Sequence, residues 1–170
     1  VPGYLIDKLT LIIRYNDIMQ FLAAGLIQES EKYGQLLWNK WKDYEKFGHP
    51  FMELMTKTFL LLLLDQDKKI FLEWIEKFYE RCWKPRGEKY FIGFVKMMDG
   101  IFQKNGKLIE EGLQDIIKFK GSIKRSDFDS IRNNVHCLWA IGLANLAISR
   151  GIRFLVPDDD YLPKALLIDV

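Results

Sequence analysis

Apolar residues recur along this chain at intervals of three and four. In "LIDKLTLIIRYNDIMQFLAAG" (5–25), Leu5, Leu9, Ile12, Ile13 and Ile18 stand close to a 3.6-residue period, which predicts a helix. Gly25 suits the C-terminal cap of that helix. Ser30 is placed to cap the next one, "EKYGQLLWNKWKDYEKFG". Along it Tyr33, Leu37, Trp41 and Tyr44 make an i, i+4, i+8, i+11 stripe. Gly48 and Pro50 punctuate the chain before "FMELMTKTFLLLLLD", whose apolar end reads as buried on several sides. "KKIFLEWIEKFYERCW" follows, then a break at Pro85 and Gly87. "EKYFIGFVKMMDGIFQ" and "KLIEEGLQDIIKFK" form a pair across "KNG", closed by Gly121. The last long segment, "SDFDSIRNNVHCLWAIGLANLAISRG", has cap candidates at Ser126 and Asp127 and ends at Gly151.

No stretch shows sustained strand alternation. "IRFLV" (152–156) is the one short β-like run. With no partner strand, it reads as an extended tail laid across helices. The expected fold is therefore all-α. About seven helices form antiparallel hairpins, either a stacked bundle or a short helical-repeat-like array, ending in that tail.

A weak repeat supports the array. With Asp67 set against Asn105, an offset of 38 residues, Lys69 meets Lys107, Ile70 meets Leu108, Glu73 meets Glu111 and Ile75 meets Leu113. Upstream, Leu60, Leu63 and Leu64 meet Met98, Ile101 and Phe102. The offset is about one helical hairpin.

Composition sets the outer bounds. With 49% hydrophobic and 28% charged residues over 170 positions, the chain reads as one ordered helical domain, 1–170. It begins at Val1 without a methionine, so it reads as part of a longer protein. A net charge of +2 gives no general field for nucleic acid. The longest apolar run, Phe59 to Leu64, is far short of the roughly 20 residues that cross a bilayer. The expected setting is cytoplasmic, without membrane or nucleic acid partners. The two cysteines, Cys82 and Cys137, read as reduced core residues.

Candidate chemistry is thin. Asp158, Asp159 and Asp160 lie between Pro157 and Pro163. Consecutive side chains of an extended segment point to alternate sides, so the three carboxylates do not converge on a metal. An aspartate-rich prenyl-transfer motif needs a further carboxylate where Leu162 or Pro163 stands. A turn fits better, with Asp160 capping a short helix "YLPKALL" and Phe154, Tyr161, Leu162, Leu166 and Leu167 anchoring the tail. His49 sits in a break and His136 in the last helix, beside Cys137. Neither has metal-ligand spacing. An enzyme would need one of them paired with an acid such as Asp99 or Glu73. The basic runs "KPRGEK" and "KFKGSIKR" read as solvated, the second as a helix C-terminus whose cations offset the macrodipole. Trp38, Trp41 and Tyr44 do not fit one narrow stripe, so one of their faces is a candidate partner surface. Trp74, Tyr79 and Trp83 read as core.

"AIGLANLAISRGIRFLVPDDDYLPKALL" resembles the C-terminal signature of the immunity protein 49 family, bacterial proteins encoded beside polymorphic toxins. Leu143, Ala147, Arg150, Gly151, Asp158, Pro163 and Leu166 occupy its places. The resemblance extends more loosely back to "LLLLLDQDKKIF". The tripled aspartate departs from the family's pattern, and the N-terminal region matches nothing in it. What the resemblance implies is an all-helical, non-enzymatic protein without cofactor or metal, monomeric or homodimeric. It would neutralise a cognate protein toxin, encoded by a neighbouring gene, through a stoichiometric complex. Asp158, Asp159, Asp160, Tyr161, Trp38 and Trp41 are the expected contact residues. A helical-repeat adaptor holding a peptide or protein on a concave face is the alternative.

Overall fold

Helices that are apolar almost all round must be covered on all sides, and helices apolar on one stripe can do the covering. That difference organises this protein. The computed structural model describes residues 17–41, 50–85, 87–124 and 136–168, and no strand occurs among them. Its helices are α1 (17–23), α2 (Ile27–Trp41), α3 (Pro50–Leu63), α4 (Lys68–Trp83), α5 (Ile92–Gln103), α6 (Gly106–Lys118), the single turn α7 (Lys120–Ile123) and α8 (Leu138–Ser149). The fold is all-α, as expected.

The nearly all-apolar helices α3, α5 and α8 lie inside. Leu60 to Leu63 of α3 are buried, as are Ile92 to Val95 of α5 and all of Trp139 to Ala147 of α8. The amphipathic helices α4 and α6 bury one face each. Helix α5 is the hub, packing against α3, α4, α6 and α8.

The 38-residue offset has a structural counterpart in the hairpins α3–α4 and α5–α6. Helices α3 and α5 end in left-handed residues, Asp65 (φ 46°) and Lys104 (φ 54°). Helices α4 and α6 open on side-chain caps at offset positions. The Asp67 carboxylate accepts from the Lys69 and Ile70 amides, and Asn105 Oδ1 accepts from the Leu108 amide. Phe71, Ile75 and Phe78 are buried, and so are Ile109, Leu113 and Ile116, each 38 residues later. The loops differ by one residue, since Gln66 separates Asp65 from its cap while Lys104 adjoins its own.

Three glycines bring α5 and α6 together. A Cβ on Gly93 would lie 2.5 Å from the Gly112 carbonyl oxygen, and one on Gly112 would lie 2.6 Å from that of Gly93. Gly100 lies against Ile109 in the same way. Lys96 bridges the pair at its edge, 2.8 Å from Asp115.

The tail wraps α8. Gly151, at φ +72°, ends the helix in the left-handed conformation expected of it. The extended chain then passes the N-terminus of α6, where the Arg153 carbonyl lies against Gly106 and the Leu155 amide donates to Glu110 at 2.8 Å. It turns at 159–162, tied to the start of α8 by the Cys137 amide on the Tyr161 carbonyl at 2.8 Å. It then returns to mid-α8. There the buried Asn145 amide donates to Leu166 O (3.2 Å) and Leu22 O (2.9 Å), and its oxygen accepts from the Ile168 amide (3.0 Å).

Several local expectations need correcting. Ser30 does not cap a helix. Helix α2 starts at Ile27, two residues after Gly25, so Ser30 lies within its first turn and its buried hydroxyl donates to the Leu26 carbonyl at 2.8 Å. Gly121 lies within α7 instead of closing α6, which ends at Lys118. His136 and Cys137 precede α8, with Cys137 at its N-cap in a non-helical conformation (φ −81°, ψ 82°). The short C-terminal helix is one 3₁₀ turn, Lys164–Leu166, following Pro163 and not Asp160. Tyr161 and Leu162 anchor the tail, whereas Leu166 stays exposed. Ser126, Asp127, Tyr44 and His49 lie outside the described residues.

Asn145→Leu removes the side-chain amide that the Leu22, Ala23 and Leu166 carbonyls and the Ile168 N–H share. Urea denaturation is expected to show a loss of about 2–4 kcal/mol. Gly93→Ala is expected to cost about 1–3 kcal/mol, because backbone stands where its Cβ must go. Gly121→Ala, with open space around it, should instead hold or gain up to about 1 kcal/mol. Equal effects from the two glycine substitutions would refute the close-crossing account.

Candidate partner-binding surface

The three aspartates divide their work. Asp159 is the structural one. Its Oδ1 accepts from the Tyr161 amide at 2.8 Å and closes the turn, while its Oδ2 takes the Lys120 ammonium at 2.9 Å. The Lys120 hydrogen bond, helped by the Tyr161 amide, holds the Asp159 carboxyl below the usual carboxylate range. Asp158 is almost wholly exposed, with Lys164 3.9 Å away. Asp160 is exposed as well, and its carbonyl accepts from His136 Nδ1 at 2.9 Å, so that ring nitrogen carries a proton. With Lys120, Lys124 and Tyr161 the triplet lines an open cleft of about 360 Å³. Among the described residues, no group of three or more histidine, cysteine or acidic side chains is placed to hold a metal ion.

Tyr161, expected as a contact residue, is buried. Its ring is 2% exposed, with the Lys124 ammonium 4.8 Å from the ring centre. Its alternation with Asp160 along the turn sends the aromatic side chain inward while the aspartate faces water. Asp159 is tied into the turn, and Asp158 and Asp160 are the exposed residues of the triplet.

The tryptophans also redistribute. Trp38 is half-buried and packs on the core. Trp41 ends α2, and its side chain lies outside the described residues. Trp74 is half-buried, with Lys57 and Lys77 4.6 and 5.1 Å from its ring centre. Trp83, expected in the core, is 72% exposed. It closes the last turn of α4, away from the buried row Phe71, Ile75, Phe78 and Cys82. A wheel drawn from that row would have placed Trp83 outside.

The acid–histidine pairs that an enzyme would need do not form among the described residues. Asp99 accepts from the Tyr79 hydroxyl at 3.0 Å and from Gln103 at 2.7 Å. Burial, with Asp99 next, pushes the Tyr79 hydroxyl well above its ordinary range. Glu73 is exposed on α4. Cys82 and Cys137 are buried free thiols, and burial pushes Cys82 up to about 12, which makes it a poor nucleophile near neutrality.

Most residues of the C-terminal signature have packing duties. Leu143 and Ala147 are fully buried. Arg150 reaches across to the end of α3, where its guanidinium donates to the Leu62 carbonyl at 2.7 Å and to the Leu63 carbonyl at 3.3 Å. Those carbonyls are helix-terminal acceptors, so a cation there offsets the α3 dipole. Arg150 is itself half-buried, which lowers its pKa.

No protein-family model, curated protein or solved structure matches this chain.

The depressed Asp159 carboxyl has a pH consequence. Its contribution is present above the ordinary carboxylate range, near pH 4, and is lost as pH falls through its folded-state value. Asp159→Asn is expected to lower the Tm at neutral pH by roughly 2 °C. The melting temperature of the variant should also fall less steeply than wild type on acidification below about pH 4. Parallel acid limbs for the two proteins would show that Asp159 is not a linked group.

Proposed function

We propose that this protein acts by binding another protein, as an immunity protein that neutralises a cognate bacterial toxin in a stoichiometric complex. The observation that carries the reading is the C-terminal signature from Leu143 to Leu166, with its resemblance to the immunity protein 49 family. Two features are compatible with it. Asp158 and Asp160 present carboxylates to solvent on a turn held rigid by Asp159 and by the Cys137–Tyr161 hydrogen bond. Trp83 and Leu155 expose large apolar surface. The mechanism would be occlusion of the toxin by shape and charge, with no catalytic step. No helix among the described residues is long and apolar enough to cross a membrane.

A helical-repeat adaptor is the second reading, and the shared register of α3–α4 and α5–α6 favours it. Two hairpins with the same cap and buried positions are the unit from which such arrays are built.

Co-expression with the product of each adjacent gene tests the first reading. One neighbour should kill when expressed alone and be silenced in a co-purifying complex. If no neighbour is toxic or binds, the adaptor takes precedence. Against a basic partner, Asp158→Asn with Asp160→Asn should leave the Tm unchanged and slow association several-fold at low salt. An unchanged rate would remove the turn from the interface.

A further inference from the structure

Main-chain groups of the tail stay unpaired along one edge. From Ile152 to Val156 the chain is extended, and burial alternates along it. Ile152, Phe154 and Val156 turn to the core, whereas Arg153 and Leu155 face water. In an extended chain the N–H and C=O of one residue point to the same side, and those of the next residue to the other. The Leu155 amide donates to Glu110 and the Arg153 carbonyl lies against Gly106, so that side of the segment faces α6. The main-chain N–H and C=O groups of Phe154 and Val156 therefore point away from α6. None of them has a hydrogen-bond partner among the described residues.

A cleft of about 510 Å³ lies along this free edge. It is lined by Ile152, Phe154 and Val156, by Ile148 at the end of α8, and by Leu167 and Ile168 of the returning tail. Leu155, whose main chain is turned to α6, does not line it. From Ile152 to Val156 the edge is roughly 13 Å long, enough for a short strand. Arg153 is the charged residue that lines the cleft, and it makes no ion pair among the described residues. The other charged groups nearby are engaged elsewhere. Glu110 takes the Leu155 amide on the opposite edge, Arg150 is turned to the end of α3, and Asp158 lies beyond Pro157 with Lys164.

We propose that this cleft takes an extended segment of a partner protein, which adds to the tail as a strand. The unpaired edge selects that occupant. A strand offers main-chain donors and acceptors at the spacing of Phe154 and Val156, whereas a helix uses its own internally. Alternate side chains of the segment would be apolar and rest against Ile148 and Leu167. Those between them would face water beside Arg153, where an acidic residue fits. A second copy of this chain fits less well, because each edge would stand behind the Leu167–Ile168 wall of its own cleft. The proposal takes from the proposed function only that the partner is a protein.

The test titrates the intact, isotope-labelled chain with a capped peptide of alternating valine and glutamate. Saturable binding is expected. Amide hydrogen exchange at Phe154 and Val156 should slow at least about tenfold, while exchange at Leu155, already bonded to Glu110, stays unchanged. The same peptide with its amides N-methylated keeps its side chains and loses its main-chain donors, so it should bind at least about tenfold more weakly. A valine–lysine peptide should bind several-fold more weakly. Val156→Pro removes one donor of the edge and should weaken the valine–glutamate peptide about tenfold, with thermal melts to check folding. The N-methylated peptide probes the same pairing without altering the chain. Absence of saturable binding would overturn the proposal, as would equal binding of the N-methylated or the lysine peptide, or protection that misses Phe154 and Val156. Protection of those two amides in the free chain that fades as a dimer is diluted would overturn it too, by making the edge a contact between copies. A toxic neighbour silenced by a chain that binds no peptide would uphold the immunity reading and overturn the cleft. Peptide binding at Phe154 and Val156 with no toxic neighbour would do the reverse.

Discussion

The side-chain amide of Asn145 sits in the middle of α8 with no exposure, and two distant parts of the chain are tied to it. It accepts from the Ile168 amide and donates to the Leu166 carbonyl, which fixes the returning tail. It also donates to Leu22 O at the end of α1. Gly142, one turn earlier, lets α1 come close, with Leu22 Cβ 3.0 Å from where a Cβ would be. A helix as apolar as α8 has no preferred face, so burial alone leaves its rotation undefined. One buried amide with several fixed partners selects a single rotation, because every other one strands polar groups away from water.

Arg150 extends the same logic to α3. The end of α3 is buried, so its last carbonyls have little access to water, and the guanidinium arriving from α8 satisfies two of them. Asn145 and Arg150 thus join α1, α3, α8 and the tail by polar contacts that apolar packing cannot supply. Around them, Leu143 and Ala147 are fully buried in α8, while Asp158 of the tail faces water.

The proposed surfaces lie on different supports. The acidic turn is held at both ends by hydrogen bonds and by the Lys120–Asp159 pair. Helix α4, which carries the exposed Trp83, is pinned along its buried face by Phe71, Ile75, Phe78 and Cys82. Both are rigid presentations, which limits the entropy lost when a partner docks.

Much of the fold was legible in the chain. The helix α4 and the start of α6 follow from the period of their apolar residues and from Asp67 and Asn105, since both signals are local. The 38-residue offset predicted which positions of the two hairpins would be equivalent. The candidate site was less legible. Tyr161 reads as a contact residue from its place beside three aspartates, yet the turn made by Asp159 directs its ring inward. Trp83 reads as core beside Trp74 and Tyr79, yet it lies off the row Phe71, Ile75, Phe78 and Cys82 that α4 buries. The α5–α6 crossing was missed because Gly93, Gly100 and Gly112 are 7, 12 and 19 residues apart, with no mark in sequence of the helix each one faces.

By itself, then, the sequence determined the helical class, most helix limits, the left-handed glycine after α8 and the extended tail. All of these depend on neighbours within a few turns, where backbone geometry and side-chain spacing act directly. Tertiary structure alone decided that Arg150 caps α3, that Asn145 joins α1 to the tail and that Asp159 is tied to Lys120. Each depends on groups brought together from distant positions, 88 residues apart for Arg150 and Leu62 and 123 for Asn145 and Leu22. Which surfaces meet at such distances is settled by packing the whole core, and no local pattern encodes it.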